Sequence, residues 1–498
     1  MQSYIIGIDI GTGSVKAVAL DYHGNAIGSS QYYYHNLETV QGQSEQDPEI
    51  IWQGFASCIK EVIISLKQVP DAVSLSSAMH SLVIVDRDHK PVTNLITWAD
   101  TRSEDVAAKL RNSDIAEALY RETGTPIHSM SPLCKIQWFK KYDSQTFDKA
   151  FKFISIKEFI WFRLFKEYEI DKSIASATGL YNILSGTWNK KSLELCAIEE
   201  NHLSKIVSTN FTRDNADAEI VKELGVSANT IFCIGASDGC LANIGSYALE
   251  KGTAAITIGT SGAVRVASHS PVINFKAMIF NYVLDEQTFI CGGPVNNGGN
   301  VLNWMIKSFL NIQDPQVKDY DNFFEETAKT PAGSAGLLFL PYLFGERAPI
   351  WDEQSAGVFF GIKSYHDQSH FLRASLEGVC YILKNILQII EYTTGAIVQL
   401  NVSGGFIQSR LWIQILSDIT GKKIALVQTD DASAIGAALL YMKSADIIEE
   451  YTSLQHAQSR MIEPIAENHL AYEKYFPIFK NLYAVLKDSM HRIDDLNK

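Results

Sequence analysis

The sequence predicts an α/β protein of two similarly built domains, and three observations carry that expectation. A glycine-threonine turn between apolar runs occurs twice. Strand-length and helix-length apolar patterns alternate in both halves, and 498 residues exceed what one hydrophobic core ordinarily organises. The first copy of the turn is Gly7-Ile8-Asp9-Ile10-Gly11-Thr12-Gly13-Ser14-Val15-Lys16; the second is Ile256-Thr257-Ile258-Gly259-Thr260-Ser261-Gly262-Ala263-Val264-Arg265. In each, an apolar run reaches an Ile-Gly-Thr turn and returns as a second run, Val15 to Leu20 and Ala263 to Ala267, which reads as strand, tight turn, strand. Glycine is expected to supply positive φ there and to admit phosphate oxygens to the backbone N–H groups, with the Thr and Ser hydroxyls as further donors. Neither copy is a Walker loop or a dinucleotide fingerprint, because the chain goes back into strand instead of opening a helix. Aligning the two cores sets Asp9 against Thr257, and a carboxylate in one copy only suits a single Mg²⁺ site, since Mg²⁺ takes few carboxylates along with water and phosphate.

The remaining elements follow in order. The first half reads as a hairpin over Tyr4–Leu20, a helix near Pro48–Leu66, strands at Ala72–Ala78 and Ser81–Asp86 flanking a turn, and a helix at Ser103–Arg111. The second half repeats the grammar, with strands around Ala254–Ala267, a helix from Gly298 to Phe309, a long helix from Ser369 to Thr393, a strand at Gln399–Ser403, and helices at Ser409–Thr420 and Ala432–Met442. No low-complexity or Pro/Gly/Ser linker separates the halves, so the repeat itself places the boundary near residues 245 to 250, giving domains 1–246 and 247–498. Two ribonuclease H-like domains of the actin and hexokinase type around a central cleft would follow, an architecture that supplies a nucleotide site without specifying what receives the phosphate.

Composition excludes several classes. With 46% hydrophobic and 20% charged residues the chain is ordinary globular protein, and no apolar run is long enough to cross a bilayer. A formal charge of −13 argues against nucleic acid or anionic membranes as partners and requires local cations for anionic substrates. Seven scattered cysteines, with no Cys-x-x-Cys pair, suggest neither a disulfide framework nor a zinc cage. No export signal follows Met1, so a cytoplasmic protein is expected. The sequence is silent on oligomeric state, and a homodimer is compatible with it.

Acceptor chemistry has to come from other residues. Gly235-Ala236-Ser237-Asp238-Gly239 follows the apolar run Ile231–Ile234, which puts Asp238 at a strand end, where a carboxylate can orient a hydroxyl and accept its proton; an Asp in such a turn can equally be a local backbone cap. Ser77-Ala78-Met79-His80-Ser81 and Ile96-Thr97-Trp98-Ala99-Asp100-Thr101-Arg102 also place polar groups after apolar strands. In a polyol pocket His80, Asp100 and Arg102 would serve hydroxyls and Trp98 the C–H face, while Asp100 and Arg102 could instead pair with each other.

Taken together, these phrases resemble the FGGY family of carbohydrate kinases over essentially the whole chain. Gly7 to Thr12, Ala78-Met79-His80, Trp98 to Arg102, Ser237-Asp238-Gly239, Gly259-Thr260-Ser261-Gly262, Gly345-Glu346-Arg347-Ala348-Pro349-Ile350-Trp351-Asp352 and Ser403-Gly404-Gly405-Phe406 occur in the family's order and spacing. The resemblance implies ATP-dependent phosphorylation of a terminal hydroxyl, with the first domain holding the sugar and the second most of the adenosine. By resemblance, Asp238 matches the catalytic base, Asp9 the residue near Mg²⁺, and Thr12 and Thr260 the phosphate-turn hydroxyls beside Gly11, Gly13 and Gly259. Met79, His80 and Trp98 match sugar-pocket positions, and Gly404, Gly405 and Ser409 the turn and helix start against adenosine. Within the family, Ser76 to Ser81, Thr123 to His128, Gly235 to Gly239 and Gly292 to Gly299 are nearer to gluconate kinases than to xylulose kinases. Gluconate needs a cation or a convergent set of donors for its carboxylate, and His80, Arg102, His128 and Lys135 are the candidates. A xylulose or other polyol kinase of the same family remains the alternative. An ATPase of the actin or Hsp70 type without a small acceptor would have no use for the sugar-pocket phrases.

Overall fold

The computed structural model describes residues 3–37, 40–427, 431–454 and 460–496. These form two compact units, one of Met1–Tyr247, Ala267–Cys291 and Asp431–His456, the other of Ala248–Val266, Gly292–Asp430 and Ala457–Lys498. The first junction falls one residue past the expected 246/247 division. The units are not contiguous in sequence, because the second half of the chain contributes segments 267–291 and 431–456 to the first unit.

The first unit is built on a six-stranded sheet. Its strands are β1 (Tyr4–Ile10), β2 (Ser14–Asp21), β3 (Ala26–Tyr33), β4 (Ala72–Ser77), β5 (Thr212–Arg213) and β6 (Ile231–Ser237), in the order β5-β6-β4-β1-β2-β3. Hairpin partners β1 and β2 are antiparallel, whereas β1, β4 and β6 run parallel. Ile5, Ile6, Ile8 and Ile10 of β1 are all fully buried, the near-continuous apolar run expected of a strand covered on both faces. Helix Pro48–Leu66 packs on the hairpin. It starts at Asp47, whose side chain accepts the Glu49 N–H, with Pro48 in the first turn, and it stops at Lys67 in the left-handed region, φ 54°. Helix Ala432–Ser444 packs on β1 and crosses helix Asp238–Gly245. A Cβ on Gly436 would sit 2.0 Å from the Leu241 carbonyl oxygen, so the crossing is backbone against backbone.

The second unit repeats this plan. Strands β7 (Thr253–Ile258), β8 (Gly262–Ser268), β9 (Phe289–Val295), β10 (Gln399–Ser403), β11 (Lys423–Leu426) and β12 (Met461–Ile462) lie in the order β12-β11-β10-β7-β8-β9 within a seven-stranded sheet. Again a hairpin, β7 and β8, leads to two parallel neighbours, β10 and β11, and an antiparallel edge, β12. Long helix Gln368–Thr394 and helix Arg410–Thr420 pack together in this unit. The sequence reading located both hairpins and most of these helices within a residue or two; the strand expected over Ser81–Asp86 shortens to Val83–Val85. It missed the half-exposed β3 and the terminal helix Ala466–Leu496, whose apolar residues are mixed with charges. Among the described residues no helix is long and apolar enough to cross a membrane.

Candidate active site

Three parallel strands end side by side in the first unit. Asp9 lies opposite Ser76, Ile10 opposite Ser77, and Ser77 opposite Ser237, so the residues that follow these strands share one sheet edge. Register between β4 and β6 slips between Cys233 and Ala236. Gly235, at φ 67° with a would-be Cβ only 1.7 Å from the Leu75 carbonyl oxygen, is the residue that permits the slip. Beyond it Ser237 caps helix Asp238–Gly245 by accepting the Cys240 N–H, which makes Asp238 the first helical residue, half-buried, with its Oδ1 accepting the Gly239 N–H at 2.8 Å.

Asp9 accepts the Ser76 hydroxyl at 2.6 Å and faces Lys16 across the hairpin. Burial pushes its carboxyl up to about 7, the Asp238 carboxylate adding to the rise and Asp431 contributing, while Ser76 and Lys16 oppose it. Lys16 Nζ lies 3.3 Å from Asp431, the residue before helix Ala432–Ser444. Three carboxylates and one ammonium thus set the potential at Asp9, though the three carboxylates do not converge on one ligand shell. Such an oxygen-rich, net anionic set is the chemistry a hard divalent cation takes. Asp431 escaped the sequence reading; the signal was an acidic residue directly before the small-residue helix Ala432-Ser433-Ala434-Ile435-Gly436-Ala437.

The residues expected to meet a sugar divide. Trp98 and Met79 are half-buried, and Trp98 Nε1 donates to Thr12 Oγ1 at 3.0 Å, tying the tryptophan to the Gly11-Thr12-Gly13 turn. His80, at φ 64°, has both ring nitrogens engaged, Nδ1 with the Ala177 carbonyl at 2.7 Å and Nε2 with the Tyr282 hydroxyl at 3.0 Å. The carbonyl can only accept, so Nδ1 carries the proton and Nε2 accepts from Tyr282. Asp100 and Arg102, expected as substrate ligands, are instead occupied with each other. Fully buried, Asp100 accepts from Arg102 N–H (3.1 Å), Nε (2.9 Å) and Nη2 (2.8 Å) and from the Ser44 N–H (2.8 Å), which fills its acceptor sites. Arg102 also pairs with Glu45 and lies 5.4 Å from the Trp138 ring centre. The physical reason is local: two residues apart at a helix start, the fork and the carboxylate satisfy each other before any ligand arrives. His128 is buried, its Nδ1 accepting the Met130 N–H at 3.1 Å. Lys135 is fully buried, and its Nζ donates to the carbonyls of His80 (2.6 Å) and Thr97 (2.7 Å), bracing the two loops instead of facing a ligand; burial pulls it down to about 7.

The two turns correct one sequence expectation. None of Gly11, Gly13, Gly259 and Gly262 has positive φ. A Cβ on Gly13 or Gly259 would meet nothing within 4 Å, so glycine there leaves the turn's surface bare for an incoming group instead of allowing a forbidden backbone. In the second unit a cavity of about 520 Å³ is lined by Gly259, Thr260, Gly405 and Ser409, together with Tyr320 and Phe406. Four of the expected nucleotide residues therefore meet in one place. Gly404 stands behind them at φ 100°, with a would-be Cβ 2.5 Å from the Ile258 carbonyl oxygen, and Ser409 caps helix Arg410–Thr420 by accepting the Trp412 N–H. Glu346, to which the sequence assigned no role, is buried and accepts N–H groups of Asn296 (2.5 Å), Asn297 Nδ2 (3.0 Å) and Arg347 (2.9 Å), with burial pushing it up to about 7. It pins the Gly345–Asp352 loop to the segment before helix Gly299–Trp304, whose Gly299 N–H donates to the Gly259 carbonyl at 2.7 Å.

Residues 4–245 match the model of the N-terminal domain, and residues 254–445 that of the C-terminal domain, of the FGGY family of carbohydrate kinases. The chain belongs to this family. A gluconokinase of Bacillus subtilis (strain 168) is 38% identical over 100% of this chain and 99% of its own length. Among solved structures, a gluconate kinase from Lactobacillus acidophilus superposes with a TM-score of 0.94 at 33% identity, covering 99% of this chain and 100% of its own. A ligand-bound xylulose kinase from the same organism matches with the same score, identity and coverage. The kinase thus has the two-domain fold of the actin and hexokinase type that the sequence predicts.

Proposed function

We propose that this kinase transfers the terminal phosphoryl group of ATP to the 6-hydroxyl of D-gluconate. The observation that carries the reading is the placement of Asp238 at a strand end beside Asp9 and the Gly11-Thr12-Gly13 turn, in a chain aligned end to end with a gluconokinase. Asp238 accepts the proton of the attacking hydroxyl as the new oxygen–phosphorus bond forms and the bond from the γ-phosphorus to ADP breaks, a role that needs a carboxylate within reach and otherwise little covalent chemistry from the protein. The bare turn at Gly11-Thr12-Gly13 presents N–H and hydroxyl donors to phosphate oxygens, which stabilises the charge spread over the transferring group. Residues 1–246 hold the acceptor, with Met79 and Trp98 as its surface and His80 as a ring held in place beside it. Residues 247–498 hold the adenosine in the cavity at Gly405 and Ser409. Asp9, supported by Ser76, is the residue that would hold Mg²⁺ directly or through water, and the ion supplies positive charge against the phosphates. Since Asp100 and Arg102 are paired and Lys135 is buried, the carboxylate of gluconate is recognised by neutral donors or by His128. Seven free, buried cysteines fit a reducing cytoplasm.

The solved xylulose kinase of equal similarity keeps D-xylulose as the second reading. ADP release from MgATP, followed with D-gluconate, D-xylulose, glycerol and no acceptor, separates them. Strong dependence on gluconate is expected. Preference for xylulose would retain the family and the roles of Asp238 and Asp9 while overturning the substrate, and release without any acceptor would overturn the kinase reading.

A further inference from the structure

We infer that Lys157, Asp171 and Ser173 are positioning residues for the catalytic turn, acting as a clamp on the single peptide unit between Ala236 and Ser237. The inference rests on the reading of Asp238 as the proton acceptor. Both polar ends of that peptide are taken by side chains. Lys157 Nζ donates to the Ala236 carbonyl at 2.7 Å, and the Ser237 N–H donates to Ser173 Oγ at 3.0 Å. Ser173 Oγ in turn donates to Ser237 Oγ at 2.7 Å, the same oxygen that caps helix Asp238–Gly245. The two halves of the clamp are joined by Asp171, whose Oδ2 accepts from Lys157 Nζ at 2.8 Å and whose Oδ1 accepts the Ile174 N–H at 2.9 Å, capping the short helix that carries Ser173.

All three side chains are at most 1% exposed. A buried ammonium–carboxylate pair rarely raises stability relative to apolar packing, so its contribution here is specification: it holds one arrangement of the groups around it. What it specifies is the plane of the Ala236–Ser237 peptide. Gly235, at φ 67°, has already broken the register of β6 with β4, so this peptide lies just past the irregularity, where a flexible glycine precedes it. Rotation of the peptide swings Ser237 and with it the first helical residue, Asp238. A displacement of about 1 Å at a reacting group lowers turnover by roughly 10²-fold. None of the three lies in the sequence phrases named above, and among the described residues none hydrogen-bonds to the glycine-threonine turns or to Asp9.

Ser173→Ala removes one jaw without leaving a buried charge. Lys157→Met combined with Asp171→Asn removes the other, and Asn retains the oxygen that caps the helix. With Asp238→Asn as a parallel reference, kcat, the KM values for gluconate and ATP, and the melting temperature are measured for each. The expected result is a kcat about 10- to 100-fold lower in both clamp variants, with both KM values within twofold of the parent and Ser173→Ala melting within a few degrees of it. Restored kcat in Ser173→Thr, which returns a hydroxyl, strengthens the assignment. Parent-like kcat in Ser173→Ala and in the double variant, while Asp238→Asn is inactive, overturns the clamp alone. Parent-like activity in Asp238→Asn overturns the assignment of the base on which it rests. A fall in kcat matched by rises in both KM values and by a large loss of melting temperature overturns the positioning role in favour of a structural one.

Discussion

The two glycine-threonine turns of this kinase share a backbone frame and differ in charge. In the first, Asp9 faces Ser76 across a parallel strand pair and Lys16 across the hairpin; in the second, Thr257 faces Ser403 and Ala263 at the matching places. Asp9 takes the Ser76 hydroxyl at 2.6 Å, whereas the Thr257 and Ser403 hydroxyls lie 3.2 Å apart and Arg265 Nη1 donates to Thr257 Oγ1 at 3.3 Å. On a matching strand order, the first turn carries a carboxylate where the second carries a hydroxyl, and each has a cation beside it, Lys16 in the first and Arg265 in the second. A duplicated frame can thus divide labour. Under the proposed function, the anionic copy would hold the metal and the neutral copy would line the nucleotide cavity.

Variants of these positions break or sharpen that contrast, and the largest effect is expected next to the anionic turn. Asp238→Asn should lower kcat by roughly 10²–10⁴-fold while calorimetry shows MgATP still bound; retained turnover would leave the turn's anionic neighbourhood without a catalytic purpose. Asp9→Thr gives the first turn the chemistry of the second. A fall in kcat of roughly 10²–10³-fold and a higher Mg²⁺ requirement in an Mg²⁺ titration are expected, and unchanged metal dependence would erase the distinction between the copies. In the second copy, Gly404→Ala puts a side chain at φ 100° against the Ile258 carbonyl, and a stability loss of about 1–3 kcal/mol is expected from denaturant unfolding.

A pH comparison tests the electrostatics without activity. Folding raises the Asp9 carboxyl to about 7, above its unfolded value, so keeping it charged opposes folding. The penalty is absent below the unfolded pKa, grows as pH rises between about 4 and 7, and is complete above that. Metal-free Asp9→Asn should therefore melt above the parent at pH 8, with the gain shrinking towards pH 5; a gain independent of pH would show that Asp9 is not held in a disfavoured charged state. The smallest effect belongs to Thr257→Val, about 0.5–1.5 kcal/mol in stability with near-parent turnover, because it removes neutral hydrogen bonds only.

Much of this was legible in the chain. Helix Pro48–Leu66 has its boundaries written in Asp47-Pro48, and the hairpins in their apolar runs around Ile-Gly-Thr, because these are local preferences of backbone and side chain. The single carboxylate at Asp9 and the strand-end position of Asp238 follow from the same short-range logic. Polar residues within the sugar-pocket phrases were harder. From sequence alone, Asp100 and Arg102 serve equally as ligands or as partners of each other, and Lys135 and His128 carry no mark of burial.

By itself, then, the sequence determined the duplicated α/β frame, the two glycine-threonine turns and the acid groups Asp9 and Asp238, each of which is encoded in a short local stretch of chain. Only the tertiary structure decided that segments 267–291 and 431–456 join the first unit, that Asp431 and Lys16 belong to the Asp9 environment, and that Lys157 and Ser173 grip the peptide before Asp238. Those facts depend on where strands far apart in the chain are brought to end, and on which buried polar groups are then left to satisfy one another.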